Sequence, residues 1–108
     1  MNKLIAGVAL SAVLLSNTAS SSEIIRICKV YKSLGEIVML QRQKGKTIEE
    51  MIEIRDNFDN ALGRKIIGSM IVPAYNVPRK QTEIEQMLEA VSFGDDKYKE
   101  CLTEMMNN

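Results

Sequence analysis

The chain has no histidine and no tryptophan, and in 108 residues only two prolines, two cysteines and 5% aromatic residues. Without histidine there is no imidazole to ligate a transition metal or to act as general base near neutral pH. No CxxC pair supplies redox exchange. No glycine-rich phosphate loop and no GxSxG elbow occurs. The carboxylate pairs Glu49/Glu53 and Glu85/Glu89 fall one helical turn apart, as on solvated faces. A carboxylate catalyst needs a cleft that raises one pKa, and a chain this short has little room for one. The expectation is a protein that is not an enzyme and needs no metal or cofactor.

Charge of one sign is also lacking in excess, since formal net charge is zero. Nucleic-acid binding is driven by surplus Lys and Arg, so nucleic acid is not an expected partner. The same balance gives no polybasic membrane surface.

The longest apolar run, "LIAGVALSAVLL" at residues 4 to 15, is shorter than the roughly 20 residues that span a bilayer. It follows Lys3 and precedes "SNTASSS", the arrangement of a cleavable export signal. The expected division is a signal peptide over residues 1–22 and a single helical domain over 23–108. Cleavage is placed after Ala19, with Ser20 and Ser22 as neighbouring alternatives. An uncleaved signal anchor, giving a membrane-tethered regulator, is the competing arrangement.

Export leaves about 86 residues, a size at which a thin core commonly needs a staple. Cys28 and Cys101 are the only cysteines, and both follow the signal. In an oxidising compartment they are expected to pair with each other, and the protein to be periplasmic or secreted.

Helical periodicity dominates what remains. Ile24, Ile27, Cys28, Tyr31, Leu34, Gly35 and Val38 form one stripe of a first helix running from Glu23 to about Lys44. A glycine on that stripe points to close approach of another helix. Gly45 stops the helix, and Thr47-Ile48-Glu49-Glu50 opens the next as a capping box. This second helix is expected to continue through Phe58. A third follows through Leu62, Ile66, Ile67, Met70 and Ile71, with Pro73 kinking or ending it and Val77-Pro78 closing the segment.

Thr82 and Glu85 form a second capping box. Ile84, Leu88, Val91, Tyr98, Leu102 and Met105 then keep a seven-residue spacing to the C-terminus, and Cys101 is expected to share their buried face. "FGDD" at 93 to 96 favours a break there over one continuous helix. The expected fold is all-α, a small bundle of three to five helices with the first and last joined by the disulfide.

Charge falls in alternating basic and acidic blocks, as expected of oppositely charged helices lying side by side. The six methionines after the signal are expected in the core.

"C..Y..LGEIVMLQRQKG" from Cys28, "AYNVPR" at 74 to 79 and the late Cys101 resemble a group of small exported one-disulfide helical proteins of tailed phages and proteobacteria. Arg42-Gln43-x-Gly45 and Ala74-Tyr75-x-x-Pro78 match that pattern, and Val38-Met39 stands where the group has an Ile-Met pair. The segment before Ala74 is longer than the pattern's. The resemblance implies a fold and a compartment and carries no activity. The expected architecture is also similar, in size, export and a single disulfide, to phage-encoded periplasmic proteins such as the Spackle lysozyme inhibitor. That likeness rests on no motif, and fold does not carry function.

The expected function is therefore binding of a protein partner in the cell envelope, such as a cell-wall hydrolase or a component of phage entry or lysis. A membrane partner is expected only if the N-terminal segment is retained. Arg42, Gln43, Tyr75 and Arg79 are the candidate partner-binding residues: arginine offers forked hydrogen bonds to carboxylates, and tyrosine offers rigid contact area.

Overall fold

The computed structural model describes residues 19–107. Residues 1–18, which hold most of the expected signal peptide, lie outside the described residues. Among the described residues there are four helices and no strand: α1 (Ser21–Gln43), α2 (Ile48–Asp56), α3 (Ala61–Tyr75) and α4 (Glu83–Met106). None is long and apolar enough to cross a membrane.

Each helix starts where a side chain can satisfy its exposed amides. Ser20, Thr47 and Thr82 form capping boxes with Glu23, Glu50 and Glu85, and Asn60 accepts from the Gly63 amide at 2.8 Å. α1 ends at Gly45, whose φ of 95° suits glycine and few other residues. α2 stops at Asp56, so Phe58 lies beyond it and packs against Gly63 of α3 instead.

Pro73 does not end α3, which continues to Tyr75. So close to the helix end, a missing amide removes a single intrahelical bond. The added residues bury Ala74 fully and aim Tyr75 at the α1–α2 turn.

The expected break at "FGDD" is also absent, for α4 runs unbroken through Gly94. The glycine answers a packing need and not a turn. α1 and α4 are antiparallel neighbours in contact along their length. A Cβ on Gly94 would stand 2.8 Å from the Lys32 carbonyl oxygen. The Cys28–Cys101 disulfide ties this pair at one end, with the α carbons 5.4 Å apart. A stable disulfide places the protein in an oxidising, extracellular-type compartment.

α3 packs on α1, and α2 on α3. Between them lies a core of Val38, Met39, Met51, Ile67, Met70 and Ala74, each no more than 1% exposed. Three methionines thus serve as core. Met87 and Met106 do not, at 56% and 71% exposed. The charge blocks neutralise each other sparsely: Lys32 of α1 meets Asp95 of α4 at 3.4 Å, and Lys80 meets Glu89 at 3.6 Å.

Candidate functional site

The four candidate residues come together at one corner, where α1 ends, α3 ends and the linker 76–82 leads into α4. Gln43 is the pivot. It is the last residue of α1, one turn after Met39, and its side chain is fully buried. Its amide nitrogen donates to the Pro78 carbonyl at 3.1 Å, and its amide oxygen accepts from the Lys80 backbone amide at 2.6 Å. A buried amide needs both kinds of partner, and the extended linker supplies them.

Two arginines tie the linker to the end of α1, one reaching from each side of the contact. Arg42 donates through Nε to the Val77 carbonyl at 3.1 Å, and Arg79 donates through Nε to the Gln43 carbonyl at 3.0 Å. The Arg79 guanidinium lies against Gly45, where a Cβ would stand 3.4 Å from its Cζ. Gly45 thus turns the chain and also leaves room for the guanidinium.

Tyr75 completes the corner. Its hydroxyl donates to the Lys46 carbonyl at 2.7 Å, fastening the end of α3 to the α1–α2 turn. The Arg42 guanidinium sits over its ring, 5.1 Å from the centroid, as a cation–π pair. Burial pushes the Tyr75 phenol above its ordinary pKa of 10.0; the charge of Arg42 opposes this, and that of Glu50 adds to it. The Glu50 carboxylate is held below the usual range, chiefly by its hydrogen bond from the Thr47 amide.

The segments "RQKG" and "AYNVPR" are therefore the two halves of one latch. Sequence alone left out Lys80 and Gln86, whose side-chain amide donates to the Lys80 carbonyl at 2.9 Å. Neither had a motif to mark it. The burial of Gln43 did have a signal, because it follows Val38 and Met39 on the inward side of α1.

The corner carries four cations beside the single Glu50 carboxylate, which the Thr47 amide holds at 2.8 Å. Arg42, Lys44, Lys46 and Arg79 have no ion-pair partner among the described residues. Both arginines are fixed through Nε, which aligns each guanidinium while leaving its terminal nitrogens for an outside acceptor. Planar guanidinium forks match carboxylate and phosphate groups.

A concavity of ≈ 320 Å³ lies away from this corner, between α3 and α4 over Tyr31. Its one cation, Lys97, is already engaged by Glu100 at 3.2 Å and by the Phe93 ring at 4.9 Å. No family model, curated protein or solved structure matches this chain, so its chemistry has to be taken from the residues themselves.

Proposed function

We propose that this is an exported periplasmic binding protein that docks on an acidic site of a cell-envelope protein and blocks it. A cell-wall hydrolase is the partner that fits best. Glycoside hydrolases carry a pair of carboxylates in an open cleft, and a rigid cationic corner is complementary to that charge. The observation that carries the proposal is the pair Arg42 and Arg79. Each is held by a backbone carbonyl, and neither is matched by a carboxylate among the described residues. Preorganised side chains lose little entropy on binding.

Export with cleavage after Ala19 is part of the proposal. It is supported by the place of Ser20, whose hydroxyl accepts from the Glu23 amide at 3.2 Å to start α1. Cleavage after Ser22 would remove that cap.

The test is turnover of purified peptidoglycan by periplasmic and phage hydrolases, titrated with the exported, oxidised protein. Inhibition of one hydrolase, weakened by added salt and abolished by Arg42→Ala with Arg79→Ala, is the expected result. Undiminished turnover by every hydrolase at saturating protein would sink the proposal.

A further inference from the structure

The apolar stripe expected on the last helix exists, but α1 covers only its C-terminal part, where the Met105 sulfur lies 3.9 Å from Cys28 Sγ and Leu102 sits beside Ile24 and Ile25. α1 packs on the α4 face that carries Ala90, Gly94 and Cys101. The stripe lies to one side, with Ile84, Leu88 and Val91 exposed by 70%, 63% and 43%. Tyr98, Leu102 and Met105 continue it, half-buried. Asp95 fills the one missing position, and the steps along the stripe then alternate between four and three residues throughout. That alternation is the spacing a two-stranded coiled coil requires of its seam. Exposed apolar side chains at this spacing mark a helix-pairing surface.

We propose that α4 pairs, antiparallel, with α4 of a second copy of this chain. Charge selects both the partner and the direction. Setting Ile84 against the partner's Leu102, and Leu88 against the partner's Tyr98, brings Glu85 beside the partner's Lys99. Two-fold symmetry repeats that ion pair. Neither residue is in an ion pair among the described residues. Glu85 uses only one oxygen for its cap, leaving the other for the lysine.

A parallel pairing would place Gly94 opposite Lys99 and leave that charge unmatched, and Glu85 would face Lys80, which lies outside α4 and already meets Glu89 at 3.6 Å. Asp95 enters the seam already neutralised by Lys32 at 3.4 Å. A single polar residue in such a seam fixes its register at some loss of stability. The proposal uses no feature of the Arg42–Arg79 corner, so the two fail separately.

The experiment is sedimentation equilibrium of the exported, oxidised protein in detergent-free buffer over a concentration series. A reversible monomer–dimer equilibrium is expected. Leu88→Glu should raise its dissociation constant by more than about 100-fold, as when a charge is forced into a helix seam. Lys99→Glu alone should weaken the dimer, and adding Glu85→Lys should restore it. Leu88 is exposed in the single chain, so its substitution leaves folding intact, checked by circular dichroism. A monomer at every concentration would overturn the proposal, as would a dimer indifferent to Leu88→Glu. A charge swap that fails to restore pairing would overturn the antiparallel arrangement.

Discussion

Gly35 and Gly94 face each other across the contact of α1 with α4: a Cβ on Gly35 would stand 3.3 Å from the Gly94 α carbon. Each glycine weakens its own helix by about 1 kcal/mol relative to alanine. In return the two backbones touch. The same close approach lets Cys28 and Cys101 bridge one end of the pair while Gln43 fastens the linker at the other.

Alanine at Gly94 is therefore expected to destabilise the fold despite its better helix propensity. Its Cβ would meet the Lys32 carbonyl at 2.8 Å, and a backbone atom cannot step aside. A loss of about 1–3 kcal/mol is expected from such overpacking. Gly35→Ala should cost less, because its closest contact, at 3.2 Å, is with the flexible Lys97 side chain. Urea unfolding of the oxidised variants measures both. A Gly94→Ala protein as stable as the parent would contradict the close approach of the two backbones at this glycine.

Reduction of the disulfide should be costly. The bridge closes a loop with a sequence separation of 73, for which loop-closure entropy gives roughly 4 kcal/mol. For a domain this small that corresponds to a fall in Tm of at least about 15 °C. Thermal melts with and without reductant give the value, and paired Cys28→Ser and Cys101→Ser substitutions should reproduce it.

Gln43 tests the latch. Gln43→Leu strands the Pro78 carbonyl and the Lys80 amide and should cost about 2–4 kcal/mol. Gln43→Glu keeps an acceptor for Lys80 but loses the donor to Pro78 while ionised. Burial raises the folded-state pKa of the new carboxyl, so this variant's stability is greatest at low pH and is lost as pH rises. Melts at about pH 4 and pH 7 should differ in that direction, beyond the difference in the parent protein.

Tyr75 sets an alkaline limit. Its phenol is raised above 10.0 in the folded chain, so the native state holds that proton more tightly than the unfolded state does. The resulting stability is fully present below pH 10 and is lost as pH climbs toward the raised value. Phenolate absorbance should show a component from Tyr75 that titrates above 10.0. Tyr75→Phe should remove that component and flatten the alkaline loss.

The latch was half legible before its geometry was known. Arg42, Gln43, Tyr75 and Arg79 stood out as two short motifs, and they do share one corner. Their hydrogen bonds, however, run to the chain's own backbone, because a linker without helix or strand partners must satisfy its carbonyls and amides through side chains. Residue type told which groups can donate. It did not tell which carbonyls would be waiting 35 residues away.

Local chemistry acting within one turn was determined by the sequence itself: the capping boxes at Thr47 and Thr82, the stop at Gly45, the helical class and the pairing of the only two cysteines. Each of these depends on neighbours in the chain or on there being no alternative. Only the tertiary structure decided which face of α4 is buried. The apolar stripe from Ile84 to Met105 looked like the core face, yet α1 chose the side carrying Ala90 and Gly94. Small residues let two backbones approach and gain contact along their whole length, which larger apolar side chains on the neighbouring face cannot match. That choice also carried Gly94 through what looked like a helix break, and it left Ile84, Leu88 and Val91 facing water.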